Sequence, residues 1–556
     1  MYPMTPTLMI AALLVALGDH AAHAQPTPTP QAPGSATMDP VDSAQPAPTP
    51  PAPPPAEPAA PAPAAPVAPP VAAAPVAPAV ASAPAASLAS EPLAGFADKF
   101  FVRSPDDRFV LTVGGRIMVD SRNYLNPGKL PDGVIASSSA DKRPRNTVFL
   151  RRARLELGGT LAEHYDFTLQ GEIATTPDVG AYGTVTDASI NIDYSPYARV
   201  KLGQFLAPFT LDNSTSSKYY SFVERSLPVR AIGIPGTFEI GAMVWGQPRG
   251  KWAYYALGLF DGDGQNLTAQ GRSPEVIGRG FVAPLAATAG SRRWRRELWV
   301  GGSVLRRSAH NLGGAISPST SARTQNDLNN MTTQGGVSLF SASYASHDAA
   351  GAAIRSHLVP EGVTAKWALE ANAPLSDRVG LRAELIHSAM DLAQYHDTGM
   401  RDGPFTGGRL TGLGYYVEAW AWAMGDMSIV PTPSLPGGGK LKHPLTPSKD
   451  TGWGVKLLAK YEHVGLDLHL PAIADGVVDP ADGHYAIDAF SLGADAWPST
   501  QVRLTVNYVM NFIGGLGAHS ADAALQKANY YYVDSPDSAG RPTVDHELTL
   551  RAQVGF

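Results

Sequence analysis

The sequence predicts an all-β fold: a transmembrane antiparallel β-barrel of about sixteen strands (roughly 16–18), preceded by a disordered Pro/Ala-rich segment. Three observations predict it: an alternating C-terminal segment, connections that alternate between long and short, and charged residues on the polar faces of the predicted strands. We assign residues 93–556 to the barrel, residues 25–92 to the Pro/Ala-rich segment and residues 1–24 to a signal peptide.

The C-terminal segment 544–556 has one mostly apolar and one polar face, because successive side chains of a strand point to opposite sides. A water-soluble sheet would show the same alternation. The aromatic last residue, however, is typical of the closing strand of a bacterial outer-membrane barrel. We therefore expect four residues to contact lipid: Leu548, Leu550, Val554 and Phe556. We expect four others to line the lumen: Glu547, Thr549, Arg551 and Gln553.

The first residues have the pattern of an export signal. Leu8–Leu17 is an apolar run too short to span a membrane, and Ala22, His23 and Ala24 form an A-x-A cleavage pattern. No Lys or Arg precedes the apolar run, which departs from the usual pattern. Export is the better interpretation and predicts a location in the outer membrane of a Gram-negative bacterium.

Proline and alanine dominate residues 25–92, which lack the amide donors and large apolar side chains needed to fold. We expect an extended tether with a rise of about 3.1 Å per residue. Two interpretations remain open for it. It is either a spacer without a partner or a connection to the peptidoglycan of the cell wall.

Composition excludes several functional classes. The absence of cysteine excludes disulfides, thiolate zinc sites and cysteine nucleophiles. Five acidic and no basic residues precede residue 93, so the predicted barrel is nearly neutral although the chain carries a net charge of −6. A nucleic-acid partner, which requires a basic face, is therefore not expected. No nucleophile–base pair, metal site or cofactor motif emerges, and we expect a protein that is not an enzyme.

The charged strands indicate a wet lumen. Arg152 and Arg154 alternate with Ala153 and Leu155, which predicts that the two arginines face the lumen of a membrane barrel. Connections near 160–164 are short. Those at 122–146 and 207–235 are long, as in porins, and a barrel of this size leaves an aqueous channel. The region 425–483 fits poorly, because a Gly/Pro/Lys stretch at 431–450 falls where a turn is expected.

The third long connection, 207–235, is the predicted constriction loop. Its Lys218, Arg225 and Arg230 place positive charge where a loop folded into the lumen would narrow the passage. Fixed cations in such a passage attract anions and repel cations.

Residues 201–227, KLGQFLAPFTLDNSTSSKYYSFVERSL, resemble the signature of the phosphate-selective porin O/P family. Segments 149–161 and 255–266 resemble its Arg-rich strand and its aromatic–Gly strand and turn. The resemblance covers roughly 96–556 and implies a homotrimeric, sixteen-stranded channel whose arginine ladder and lysine cluster draw anions through the constriction. Arg152 and Arg154 fit the arginine positions, and no lysine cluster aligns residue by residue.

Two aromatic features allow more than one interpretation. Arg292, Arg293, Arg295 and Arg296 flank Trp294 at the periplasmic end of the ninth predicted strand. We interpret Trp294 as an interfacial anchor in the aromatic belt, with an anion funnel as the alternative. Trp420 and Trp422 are interpreted as membrane-interface or protomer-contact residues, with a sugar-stacking platform as the alternative.

The sequence thus predicts a passive outer-membrane porin with a preference for anions such as phosphate or polyphosphate. Five residues are predicted to stabilise the anion: Arg152, Arg154, Lys218, Arg225 and Arg230. A general or carbohydrate-type diffusion porin is the first alternative. A structural barrel tethered to the cell wall is an alternative from another class.

Overall fold

A computed structural model describes most of the chain after residue 92. The described residues are 93–96, 99–125, 146–174, 183–234, 237–250, 252–262, 264–266, 274–286, 288, 293–309, 343–347, 353–396, 407–425, 452–471, 482–513 and 543–556. The predicted signal peptide and Pro/Ala-rich tether lie outside these residues, so the predicted domain bounds stay predictions.

The described residues form strands with a few short helices. The strands are β1 (Ala94–Phe96), β2 (Phe100–Arg103), β3 (Phe109–Tyr124), β4 (Thr147–Leu161), β5 (Tyr165–Glu172), β6 (Thr184–Ile192), β7 (Arg199–Leu206), β8 (Phe238–Gly246), β9 (Ala253–Phe260), β10 (Glu275–Val282), β11 (Trp299–Ala309), β12 (Ser343–His347), β13 (Ala353–Pro374), β14 (Val379–His396), β15 (Gly408–Met424), β16 (Gly454–His469), β17 (Gly483–Trp497), β18 (Val502–Ile513) and β19 (Thr543–Gly555). The helices are α1 (Leu211–Ser214), α2 (Leu227–Ile232) and the 3-10 turns η1 (Ser217–Tyr219) and η2 (Arg293–Glu297).

Sixteen antiparallel strands, β3–β11 and β13–β19, close into a barrel, which confirms the predicted fold class. The closing pair is β19 with β3, in a register that sets Arg551 opposite Asp120 and Gly555 opposite Arg116. Closure satisfies the backbone groups that an open edge would leave without partners. Outside the cylinder, β2 extends the edge of β3 beyond the end of β19, β1 pairs with β2, and β12 lengthens the hairpin at β13.

The outer wall of the barrel is apolar, and the lumen holds buried charged and polar side chains together with a cluster of buried apolar ones, unlike a water-soluble barrel. In β19, Leu550 and Val554 are 41% and 46% exposed on the outer wall, whereas Glu547 and Thr549 are 0% exposed in the lumen. The predicted orientation of the side chains of the closing strand, toward lipid or toward the lumen, is therefore confirmed. Across the described residues, no helix has the length and apolar character needed to cross a membrane.

Long and short connections fall at opposite ends of the barrel, as the sequence predicted. One end holds tight turns such as 162–164 and 498–501, and the other holds the long connections. Two connections at the short-turn end are longer: 283–298, which contains η2, and 425–453. The poorly fitting stretch 431–450 belongs to the second of these and lies outside the described residues.

Candidate functional site

The connection between β7 and β8 folds into the lumen, as predicted for the constriction loop. Its described residues, 207–234, are almost all buried, and Phe209 and Leu227 lie in the apolar interior. Thr210 caps α1 by accepting a hydrogen bond from the Asn213 amide, and Pro228 stands in the first turn of α2. Proline suits this position because the first amides of a helix have no intrahelical acceptor.

Carboxylates on the barrel wall accept hydrogen bonds from the two loop helices. Glu384 of β14 accepts from the backbone amides of Leu211 and Asp212, at 2.5 and 3.1 Å. Glu462 of β16 accepts from the amide of Leu227 at 2.6 Å. The first amides of a helix lack internal partners and carry partial positive charge, so a carboxylate satisfies both needs. These bonds hold both helices against β14 and β16.

Further strands hold the middle and end of the loop. The Arg503 guanidinium of β18 donates to the Ser221 carbonyl at 3.0 Å, and the Asn507 side-chain oxygen accepts from the Val223 amide at 2.8 Å. Lys366 of β13 donates to the Gly233 carbonyl at 2.5 Å. Hydrogen bonds therefore hold the loop in the lumen at several points along its length.

The wall that holds the loop carries its charges as buried ion pairs. We call the inner face of β14–β18 the paired wall, and its pairs are Arg382–Glu418 at 2.9 Å, Lys460–Glu462 at 3.0 Å and Arg503–Asp495 at 2.7 Å. Each cation of these pairs lies within ion-pair distance of a carboxylate, and Lys456 of β16 shares Asp495 with Arg503. The charges of the pairs Arg382–Glu418 and Lys460–Glu462 cancel.

The inner face of β3–β5 carries arginines that outnumber their carboxylate partners, and we call it the arginine wall. Arg154 donates to Glu172 at 2.6 Å and to Gln170 at 3.2 Å. The nearest atoms of Arg152 and Glu172 are 3.7 Å apart, so one carboxylate serves two guanidiniums. The Nε atom of Arg152 is buried and has no hydrogen-bond partner among the described residues.

A β-bulge in β4 sets the direction of these arginines. The pairing register between β3 and β4 shifts between Met118 and Val119, so Arg151 has no residue opposite it. A bulge inserts one residue into a strand and changes which side its neighbours face. Arg151 consequently points inward as well, and its Nε donates to Glu224 of the loop at 2.7 Å.

Glu224 is a buried carboxylate at the junction of loop and wall. Burial alone would raise the pKa of the Glu224 carboxyl, but Arg151 at 2.7 Å and Arg551 at 3.8 Å hold that pKa well below its usual range. The carboxylate therefore stays ionised and cancels part of the positive charge beside it.

Arginines of the wall and of the loop meet around one small space in the lumen. Four guanidiniums line it, those of Arg116, Arg152, Arg154 and Arg225. Arg116 donates to the Ser216 hydroxyl at 2.9 Å and to Gln170 at 3.2 Å. Hydroxyl groups of Ser217, Thr215 and Tyr220 also line it. Converging cationic and neutral donors are the chemistry that an oxyanion requires.

Three of the five predicted anion-path residues lie at this space. Arg152 and Arg154 come from β4, and Arg225 comes from the loop, where its guanidinium also donates to the carbonyls of Asp212 and Asn213. The other two do not line it. Lys218 lies beside Gly555 of β19, and Arg230 donates to the Arg225 carbonyl at 3.0 Å.

Sequence reasoning missed Arg116 and Arg151. Arg116 follows the same alternation in β3 that identified Arg152 in β4, so this signal was present in the sequence. Arg151 gave no such signal, because strict alternation sends it to the lipid face and only the bulge turns it inward.

The predicted positions of three tryptophans are wrong. Trp420 and Trp422 follow Glu418 on the inner face of β15 and are buried in the lumen, away from the membrane interface. Trp294 of η2 packs against them instead of standing in the outer aromatic belt. As predicted, η2 lies directly before the ninth barrel strand, β11.

Among the described residues, no group of three or more His, Asp or Glu side chains is arranged to hold a metal ion.

A closed sixteen-stranded barrel with an apolar outer wall, a charged lumen and an inward-folded loop defines the outer-membrane porin class of protein. The model of the family "Phosphate-selective porin O and P" matches residues 133–371. These residues are less than half of the chain, and over them the sequence is similar to that family, which supports the predicted resemblance. The family match and the apolar outer wall together locate the barrel in the outer membrane of a Gram-negative bacterium.

The chain is also similar to three individual proteins. Porin O of Pseudomonas aeruginosa is 25% identical over 187 residues, which are 33% of this chain and 40% of that protein. The chain thus aligns with less than half the length of this curated relative. The anion-selective porin from Comamonas acidovorans superposes on 81% of this chain and all of its own, with 12% identity and a TM-score of 0.42. The match to OmpT of Vibrio cholerae, in its trimer form, covers 81% of this chain and 100% of OmpT, with 9% identity and a TM-score of 0.41.

Proposed function

We propose that the protein is a passive outer-membrane porin that prefers small anions, with phosphate and polyphosphate as the solute class. One observation carries the proposal: Arg116, Arg152, Arg154 and Arg225 surround the same small space beside the constriction loop. A channel, in which solutes move down their gradient, accounts for this arrangement without an enzymatic step.

The arginines would act by replacing part of the hydration of the anion as it passes the constriction. Guanidinium groups bind the oxygens of phosphate through several donors in a fixed geometry. Glu172 is shared by Arg152 and Arg154, so this group of two guanidiniums and one carboxylate keeps one positive charge. Lys218 and Arg230 do not line the space, and we assign them a role through the field of the lumen only.

We propose three partners in addition to small anionic solutes. Outer-membrane lipid would contact the apolar outer wall. Two further copies of the chain would complete a homotrimer. Peptidoglycan would contact residues 25–92.

Deleting residues 25–92 should leave conductance unchanged and weaken retention of the protein by isolated cell wall. Unchanged retention would remove peptidoglycan as a partner.

Reversal potentials in planar bilayers test the proposed function. Under a gradient of potassium chloride, and then of potassium phosphate, we expect a potential with the sign of anion preference. Changing Arg116, Arg152 and Arg154 together to Gln should reduce the anion-to-cation permeability ratio several-fold. The matched control is Arg199→Gln, because Arg199 pairs with Asp193 next to a short turn and does not line the space.

The alternatives predict other outcomes. No conductance steps would contradict the porin and favour a structural barrel tethered to the wall. Steps without ion preference, blocked by neutral sugars, would favour a general or carbohydrate-type porin. An unchanged permeability ratio in the triple variant would show that other charges determine selectivity.

A further inference from the structure

Five aromatic side chains meet inside the lumen at the short-turn end of the barrel. We call them the aromatic cluster: Phe222, Trp294, Trp420, Trp422 and Trp497. They come from four places in the chain: the constriction loop, η2, the end of β15 and the last residue of β17. None of these five residues is among those that line the constriction space.

Three indole N–H groups of the aromatic cluster are buried donors without acceptors. The Nε1 atoms of Trp420, Trp422 and Trp497 have no hydrogen-bond partner among the described residues. Elsewhere in the same lumen, Trp245 donates from Nε1 to the Asn191 side chain at 2.9 Å. A buried donor without an acceptor is costly and uncommon in folded proteins. Three of them in one cluster point to an acceptor that the described residues do not supply.

Each of four rings of the aromatic cluster has a cation over it. On the wall, Lys456 stands 5.7 Å from the centre of the Trp422 ring, and Arg503 stands 5.3 Å from that of Trp497. The other two pairs are Lys460 with Phe222, at 4.4 Å, and Arg295 with Trp294, at 5.5 Å. Aromatic faces and cations thus alternate within one region.

Carboxylates compensate these cations only in part. Asp495 pairs with both Lys456 and Arg503, at 3.0 and 2.7 Å, so one negative charge serves two positive ones. Lys460 pairs with Glu462. The Nε of Arg295 is buried and has no hydrogen-bond partner among the described residues. The region therefore favours an anion over a cation or a neutral solute.

The backbone accommodates the rings on the wall. A Cβ atom at Gly454 would stand 2.7 Å from the Trp422 ring, and one at Gly493 would stand 3.3 Å from the Phe222 ring. These glycines let the rings lie close against the strands. Trp294 belongs to a connection instead of a barrel strand and is only half-buried, so it forms the side of the cluster that reaches solvent.

We propose that the aromatic cluster is a second solute subsite, on the short-turn side of the constriction, for organic anions that carry an aromatic ring. The ring would stack on the indoles, where Trp294 now packs. The carboxylate or phosphate would accept from the indole N–H groups beside Lys456 and Arg503. The proposal rests on the proposed channel function for the route of the solute, whereas binding itself can be measured without conductance.

Isothermal titration calorimetry on the purified full-length protein in detergent micelles tests the subsite. The probes are phenyl phosphate and benzoate, with inorganic phosphate, acetate and glucose for comparison. We expect phenyl phosphate to bind at least tenfold more tightly than inorganic phosphate, and benzoate more tightly than acetate. Trp422→Phe and Trp420→Phe keep a ring and remove the N–H, and each should weaken phenyl phosphate about tenfold.

Trp367→Phe is the matched control, because Trp367 stacks on His387 on the outer wall. Heat-dependent migration on a gel will show that each variant is folded. Equal affinity for phenyl phosphate and inorganic phosphate would overturn the subsite, as would tighter binding of glucose or unchanged binding in both indole variants. Ring-selective binding in a protein that passes no chloride would support the subsite and contradict the channel. Chloride conductance without ring selectivity would do the opposite.

Discussion

The paired wall and the arginine wall line the same lumen and arrange their charges differently. On the paired wall, Arg382 bonds to Glu418 through contacts of 3.0 and 2.9 Å. On the arginine wall, Arg152 and Arg154 share Glu172, at 3.7 and 2.6 Å. The first arrangement cancels charge and supports the loop, and the second leaves positive charge in the passage.

This difference separates two uses of a charged residue inside a barrel. A buried ion pair adds little net stability, but loss of one partner is costly because the other charge stays buried. An arginine with an incomplete set of partners retains its field, which acts on a passing ion. We therefore expect the number of carboxylates per arginine, more than the number of charges alone, to identify the selectivity residues.

The largest effect is expected from breaking a pair on the paired wall. Glu418→Leu removes the carboxylate from the buried guanidinium of Arg382, and we expect a loss of about 3–5 kcal/mol in the free energy of unfolding. The double variant with Arg382→Leu should recover most of that loss, because no buried charge remains. Urea unfolding in micelles measures both. A single variant as stable as the parent would show that the pair does not support this wall.

Selectivity should respond to the arginine wall far more than to the paired wall. A unit charge about 5 Å from an ion in water contributes about 0.8 kcal/mol, roughly a fourfold change in permeability ratio. Arg154→Gln should therefore lower the anion-to-cation ratio about fourfold in reversal-potential measurements. The matched change is the double variant Lys460→Met with Glu462→Gln, which removes a cancelling pair and should alter the ratio less than twofold. Equal effects would remove the distinction between the walls.

Much of this architecture follows from alternation and connection length, which are local properties of the chain. Alternation identified the lumen face of β19 and the direction of Arg152, and length identified the inward loop. Alternation failed at Arg151, where a bulge inserts one residue into the strand. It also failed at Trp420, because an inward aromatic residue gives the same sequence pattern as a lipid-facing one. The partners of each charge come from distant segments, as Arg551 and Asp120 do, and one sequence does not reveal them.

A smaller, pH-dependent effect is expected where the loop meets the arginine wall. Arg151 and Arg551 hold the pKa of Glu224 below its ordinary value of 4.5, so its contribution to stability is complete above 4.5 and is lost only as pH falls through that lowered pKa. In Arg151→Ala the pKa should rise, because burial is then less opposed. The variant should show weaker anion preference at neutral pH and regain it on acidification, as Glu224 is protonated. Reversal potentials at several pH values measure this, and adding Glu224→Gln should abolish the response.

The smallest effect is expected from a solvent-exposed ion pair of the barrel. Comparing it with a buried pair measures how much burial contributes to the cost of breaking a pair. Arg108 and Glu163 lie 3.1 Å apart at a short turn, and both side chains are about half exposed, at 52% and 55%. Exposed pairs contribute about 0–1 kcal/mol because solvent screens both charges. Glu163→Gln should therefore change the free energy of unfolding by less than about 0.5 kcal/mol in the urea measurement used for Glu418→Leu. A loss as large as that of Glu418→Leu would mean that burial is not what makes a broken pair costly in this barrel.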